Sequence, residues 1–435
     1  MRLTVNDILR SGADVRLPVG GPDTEFEGTY VDSREPVEGA LFVGLRGELA
    51  DGGQHAPDAL RDGAAAALVG ESAWRWIEGD AQGMRRPVLV SPDPLAVLQV
   101  AGRMALERSG ARVIGVTGAT GKTTTKDILV AMLRAAGANA EGTPGNRNTE
   151  VGVPMSLLGL SEGCEVAVVE MGMRGPGQIA ALAALAPPDV ACITSIGPVH
   201  LELLGTVEAV AAAKAELIQA LKPGGTAVVP ADEPLLEPFL ATLDPGVNVV
   251  LVGPAPDLDL DLNLSKAWEL RNAAAALACC RAIGVVPAEG ARIEVGLSAM
   301  RGQERALAGG GTLIEDCYNA NPIAMRAALA DLAGRPGRRV AVLADMKELG
   351  PDEARYHREI GEAAAEAGID LLIGVGALGA EYVAGANGLE AVHIATVEEA
   401  VEQVPGLLAD GDVVLLKGSR GMRLERIGAA LPTEG

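Results

Sequence analysis

Residues 113–127 read VIGVTGATGKTTTKD. An apolar run of strand type leads into a glycine-rich turn, then Lys122, a run of threonines and the start of a helical pattern. A strand that feeds such a turn leaves backbone N–H groups facing inward, and the following helix adds its positive N-terminal end, so the segment suits polyphosphate. Lys122 is placed for the β- and γ-phosphates, and Thr123 offers a hydroxyl to Mg²⁺. The spacing Gly118-x-x-Gly121-Lys122-Thr123 is a variant phosphate loop, because Val116 stands where the GxxxxGKT form has its first glycine. Gly118, Ala119, Thr120, Gly121, Lys122, Thr123 and Thr124 are the nucleotide-binding candidates.

Working outward, the 435 residues exceed one ordinary core, and usual domain sizes predict roughly three domains. A formal charge of -22 would repel a nucleic-acid backbone or an anionic bilayer, so a phosphate ligand must be held by local devices. The five cysteines show no CxxC spacing and lie in apolar runs, as buried thiols of a reducing compartment do. No run of 18 apolar residues occurs and MRLTVNDILR lacks a signal-type apolar core, so no membrane insertion and a cytoplasmic location are expected. Only seven residues are lysine against 29 arginine, and none precedes Lys122. Lysine is thus an unusual choice here, which gives weight to Lys122, Lys214 and Lys417.

The predicted organisation is α/β throughout. Residues 1–86 form a small α/β domain with strand-like TYVDS and ALFVGL; its Asp32-Ser33-Arg34 loop reads either as an anion site or as a polar turn. The proline- and glycine-rich stretch GMRRPVLVSPDP reads as a link into a central domain of P-loop ATPase type with a parallel sheet, residues 87–300. There, GTPGNRNTEVG places Asn146 and Asn148 in a loop, where asparagine is equally an ordinary turn former. EVAVVE is a buried parallel strand ending in Glu170, at the sheet edge where such folds place ligands; a carboxylate there needs a partner, and Mg²⁺ is the obvious one. A second strand delivers His200 to the same edge. Lys214 lies among alanines in a helix capped by Thr206, and the local pattern alone favours a solvated lysine. Residues 301–435 alternate strand and helix as a Rossmann-like, doubly wound α/β domain. This domain lacks GxGxxG after its first strand, and its strand ends carry Asp316, Asp345 and Lys417 toward a shared cleft.

Eight ordered motifs, DSREPVEGALFVGLRGE, TGATGKTTTKD, GNRNTEVGVP, EMGMRGPGQI, ITSIGPVHLELLG with AAAKAEL, DCYNANP, LADMKELG and KGSRGMRLERI, resemble the bacterial Mur ligases along nearly the whole chain. YNANP, DMKELG and KGSRGMR resemble the member that joins D-alanyl-D-alanine to UDP-N-acetylmuramoyl-tripeptide. The resemblance implies an ATP-dependent carbon–nitrogen ligase working through an acyl phosphate, with two Mg²⁺ ions. The first ion would be held by Thr123 and Glu170, the second near His200 and Lys214 as a carbamate. The catalytic set would be Lys122, Glu170, His200 and Lys214. Asn272 would meet adenine and Asp316 the ribose, with Asn319 and Asn321 on the same edge of the nucleotide cleft. Ser33, Arg34, Asn146 and Asn148 would serve the UDP substrate, and Lys417, Ser419 and Arg420 the D-Ala-D-Ala side. The expected partners are these small molecules, and the protein is expected to be a monomer.

Several positions depart from that family. Gly302-Gln303, flanked by Arg301 and Arg305, stands where the family has Gly-Arg near the γ-phosphate. Lys-Ala-Trp-Glu-Leu-Arg-Asn replaces GxHNxxN, so that only Asn272 remains, and Thr149 replaces an asparagine. The segment from Asp232 to Trp268 is short, as if a strand pair were absent. A sibling ligase, tripeptide-forming or of folylpolyglutamate-synthetase type, and a catalytically impaired nucleotide-binding paralogue are the alternative readings.

Overall fold

The computed structural model describes residues 1–48, 50–83, 85–254 and 258–433. Residues 255–257 of the short segment from Asp232 to Trp268 and Met84 of the expected link lie outside the described residues.

The phosphate-loop strand, Arg112–Thr117, is central in a six-stranded sheet. The order across it is 248–252, 226–230, 190–193, 112–117, 166–170 and 140–142, with every neighbour parallel. Such a sheet must be covered on both faces, and the strand residues divide accordingly. Ile114, Val116, Val168 and Cys192 pack under the helices Lys122–Ala135 and Ala267–Ile283. Val113, Val169 and Ile193 pack under Gln178–Leu185 and Val207–Gln219. The chain leaves strand 112–117 toward one side and later returns to its other side, making the phosphate loop a switch point where open α/β sheets bind ligands.

A second six-stranded sheet runs 303–307, 311–316, 413–417, 339–344, 371–375 and 390–394. Only its first pair is antiparallel. Two apolar layers cover it, one around Val340, Val342 and Val414, the other around Ala341, Leu343 and Leu415. The sequence reading missed strand Gln303–Leu307, whose alternating exposure and charged residues fit a sheet edge, strand Glu390–Ile394 at the opposite edge, and the short helix Gly379–Gly385.

The N-terminal sheet has five strands, ordered 16–19, 88–91, 66–70, 41–43 and 29–30. Here the boundary at residue 86 needs correcting. Val88–Ser91, expected in the link, is fully buried and pairs with both Ala66–Gly70 and Arg16–Val19. Its VLV core is a strand by burial, which the flanking prolines obscured. Helix Pro94–Ser109 then spans the two units, packing Val97, Leu98, Ala101 and Ala105 with Met155 and Leu158.

Candidate active site

A cavity of about 1800 Å³ lies where the carboxyl edges of the two six-stranded sheets face each other. It is lined by the phosphate loop, by Glu170, His200 and Lys214 from the central sheet's side, and by Asp316, Asn319, Asn321, Lys417, Ser419 and Arg420 from the C-terminal one. Asn146, Asn148 and Asn272 also line it. Ser33 and Arg34 are not in the lining; Arg34 is exposed and paired with Asp32 at 2.6 Å.

The loop's shape is dictated by two glycines. A Cβ on Gly118 would lie 1.9 Å from Thr194 Oγ1. Gly121 has φ +81° and abuts the Asn272 amide, whose Oδ1 is 2.6 Å from where a Cβ would stand. Asn272 thus fixes the loop from the helix behind it. The N–H groups of Ala119 and Thr120 are committed to Ser195, at 2.9 Å to its carbonyl and 2.8 Å to its Oγ. The backbone donors left uncommitted are those of the first turn of helix Lys122–Ala135, which have no intrahelical acceptors.

Two lysines converge on one oxygen. Lys122 Nζ donates to the Gly118 carbonyl at 2.9 Å and Lys214 Nζ to the same atom at 3.0 Å. Lys214 is 2 % exposed, against the solvated position its alanine-rich surroundings suggested. Burial, reinforced by the neighbouring Lys122, pushes its pKa well below the ordinary lysine value. Desolvation lowers Lys122 too, with Glu170 opposing and Arg301 reinforcing the shift.

Beside them Glu170 is 1 % exposed. It accepts from Thr123 Oγ1 at 2.9 Å and from Asn148 Nδ2 at 2.7 Å, while its own N–H donates to Thr143 Oγ1 at 2.9 Å. Asn146 lines the same cavity as Tyr318. Both asparagines expected near the UDP substrate therefore sit at the phosphate-loop end. Thr123 Oγ1 and the Glu170 carboxylate are hard oxygen donors at the loop's mouth, which fits Mg²⁺ held jointly with phosphate oxygens and water. Among the described residues no three His, Cys, Asp or Glu side chains form a cluster able to hold a metal ion.

The two arginines that flank Gly302-Gln303 point in different directions. Arg301 enters the cavity, stacks on Tyr318 with its guanidinium carbon 4.0 Å from the ring centroid, and donates to Thr123 Oγ1 at 3.1 Å. Its buried Nε has no hydrogen-bond partner among the described residues. Arg305 turns away to the Gly428 carbonyl and Glu315.

Across the cleft, Asp316 and Lys417 are register partners at the ends of adjacent strands and form an ion pair at 2.6 Å. Lys417 also donates to the Asn319 carbonyl at 3.2 Å, and Ser419 Oγ accepts from the Lys347 N–H at 3.0 Å. Arg420 pairs with Glu425. Asn321 caps helix Pro322–Ala333 through Ala324 N at 3.0 Å and reaches the Ala119 carbonyl at 3.4 Å, tying the C-terminal unit to the phosphate loop. His200 Nδ1 meets Glu348, whose carboxyl is held below its usual range chiefly by that hydrogen bond. Glu348 lies in the quoted LADMKELG motif, yet its partner is 148 residues away.

Comparison with known proteins adds to this geometry. Residues 116–279 match the Mur ligase middle domain, and residues 300–420 the Mur ligase, glutamate ligase domain. The chain belongs to the Mur ligase family. It is 34% identical over 432 residues to the UDP-N-acetylmuramoyl-tripeptide--D-alanyl-D-alanine ligase of Bacillus subtilis, covering 93% of each chain. The crystal structure of MurF from Acinetobacter baumannii superposes with a TM-score of 0.85 at 26% identity, over 99% of this chain and 98% of that one. MurF ligase from Thermotoga maritima in complex with ADP gives 0.77 at 28%, over 93% and 96%.

Proposed function

We propose that this chain is the ATP-dependent ligase that joins D-alanyl-D-alanine to UDP-N-acetylmuramoyl-tripeptide, giving the UDP-MurNAc-pentapeptide precursor of peptidoglycan. The observation that carries the chemistry is the convergence of Lys122, Lys214 and Arg301 on the mouth of one phosphate loop, opposite a second lobe. The terminal carboxylate of the tripeptide attacks the γ-phosphorus of ATP, the bond to the β-phosphate oxygen breaks, and ADP leaves. The amine of D-Ala-D-Ala then attacks the acyl carbon, phosphate departs, and the amine proton is released as the amide forms. Two anions meet in the first step, so cationic groups fixed beforehand are the main catalytic device. Lys122 and Arg301 supply them from this chain. Mg²⁺ held with Thr123 and Glu170 would add charge neutralisation at the phosphates.

Lys214 is assigned a carbamate. An amine attacks CO₂ only when unprotonated, and the burial that depresses its pKa favours that form. The neutral amine adds to CO₂, forming an N–C bond and losing one proton, and the resulting carbamate would offer an anionic oxygen beside Lys122 to a second Mg²⁺ together with His200. The N-terminal unit, with Ser33 and Arg34 in an exposed loop, takes the UDP end. The C-terminal unit, with Lys417, Ser419 and Arg420, takes D-Ala-D-Ala and shields the acyl phosphate from water.

Phosphate release from ATP, with each substrate omitted in turn and the nucleotide product followed by mass, tests the proposal. Release that requires both substrates and yields the pentapeptide product is expected. ATP turnover indifferent to D-Ala-D-Ala would overturn it.

A further inference from the structure

The contact between His200 and Glu348 joins two units and two uncommon backbones. His200 follows strand Val190–Ile193 of the central sheet, and Glu348 follows strand Arg339–Ala344 of the C-terminal sheet. Both line the cavity. His200 has φ +53° and Glu348 φ +66°, two of only six non-glycine residues with positive φ among those described, and they touch each other. Such conformations persist when the surroundings over-determine them, and here they do. One Glu348 oxygen meets His200 Nδ1, the other meets Arg174 at 3.3 Å, and the Glu348 carbonyl accepts from Leu201 N at 2.8 Å. Gly350 lies against the Leu201 backbone, where a Cβ would come within 3.3 Å.

In the neutral ring, a carboxylate on Nδ1 selects the tautomer whose Nδ1 carries the proton. With Nδ1 donating to Glu348, Nε2 is the lone-pair nitrogen, the form that ligates a cation or accepts a hydrogen bond. The carboxylate comes from the other lobe, so this orientation exists only while the lobes are together.

We propose that Glu348 is a positioning residue which, on docking of the C-terminal lobe, clasps His200 through Nδ1 and thereby presents Nε2 to the cleft, so that the histidine is set for its role only in the closed arrangement. The role at Nε2 rests on the ligase reading above; the clasp itself does not.

The full-length protein, labelled with ¹⁵N-histidine and kept free of metal and nucleotide, provides the test. It has four histidines, and His200→Gln identifies the signal. Wild type should show Nδ1 protonated and Nε2 unprotonated at His200. Glu348→Ala should give mixed tautomers and a larger radius of gyration by small-angle X-ray scattering, while Glu348→Gln, which still accepts from Nδ1, should keep the tautomer. In turnover, Glu348→Ala should lower kcat about 10- to 100-fold with the KM for ATP nearly unchanged, and adding it to His200→Gln should cost little more. A His200 tautomer that is Nε2-protonated in wild type, or unchanged in Glu348→Ala, overturns the proposal whatever the activity. Should Glu348→Ala fail to fold, Arg174→Ala with Glu348→Gln carries the test: the clasp requires the His200 tautomer to survive in both, and its loss in Glu348→Gln alone overturns the proposal. If wild type forms no pentapeptide product, the ligase reading fails, while the tautomer and scattering results still decide the clasp.

Discussion

The two six-stranded sheets meet at one cleft and carry charge at their edges in opposite ways. On the C-terminal sheet, Asp316 and Lys417 sit in register on neighbouring strands and neutralise each other at 2.6 Å. On the central sheet, Lys122 and Lys214 both lean on one neutral carbonyl, and Glu170 is held by a hydroxyl and an amide. Similar parallel architecture therefore serves two ends. The pair Asp316–Lys417 holds the C-terminal edge in shape before a substrate reaches it, whereas charges held by neutral partners are left for a ligand to complete.

That contrast predicts its largest effect at Lys122. Lys122→Ala removes the cation proposed to meet the transferred phosphate, and kcat should fall by about 10²- to 10³-fold. Calorimetric binding of the UDP substrate should survive; its loss as well would mean that the phosphate loop also holds that substrate.

Lys214 sharpens the contrast in a second way. Lys214→Ala should lose about 10²-fold in kcat and regain part of it with added short carboxylic acids, read by phosphate release; full activity without them would remove the carbamate. Stability should move oppositely. The folded state holds this lysine below its usual pKa, so between the folded and unfolded values the unfolded chain binds more protons, and wild-type stability rises with pH through that window. In CO₂-free buffer, ligand-free Lys214→Met should therefore melt higher than wild type at neutral pH. The gain should shrink as pH approaches the ordinary lysine value.

At the C-terminal edge the prediction concerns folding. Lys417→Met leaves the Asp316 carboxylate without its partner. The loss should be about 2 kcal/mol in denaturant unfolding, below the usual figure for a broken buried pair because Asp316 faces the cavity. Lys417→Met with Asp316→Leu should recover most of it. A single variant as stable as wild type would mean the pair does not organise the edge.

What the sequence made legible follows the same division. The phosphate loop, Glu170 and His200 were readable because their signals are local: a glycine pattern, and polar residues ending apolar strands. The rarity of lysine was informative, since Lys126, Lys214, Lys266 and Lys417 are all buried. Yet the burial of Lys214 was invisible in its alanine-rich helix, where only the family resemblance favoured the site. Val88–Ser91 was lost among prolines because strand identity there comes from its two neighbours. Arg301 and Glu348 were beyond reach as assigned roles, since each is defined by a partner 178 and 148 residues away.

The smallest effect is expected where the chain departs most visibly from its family. Gln303 stands where the family resemblance leads one to expect an arginine, but its side chain braces the turn, accepting from Arg301 N at 2.7 Å and donating to the Ser298 carbonyl at 2.7 Å. Arginine has no acceptor, so Gln303→Arg would free the Arg301 N–H and loosen the turn that aims Arg301 at Thr123. A guanidinium is already stacked on Tyr318 at the loop's mouth, so a second one has no vacancy to fill. Turnover of Gln303→Arg should thus equal wild type or fall by about two- to threefold, the effect of one hydrogen bond. A clear rise would show that Arg301 does not serve the γ-phosphate and that the departure at Gln303 is a defect, as the impaired-paralogue reading requires.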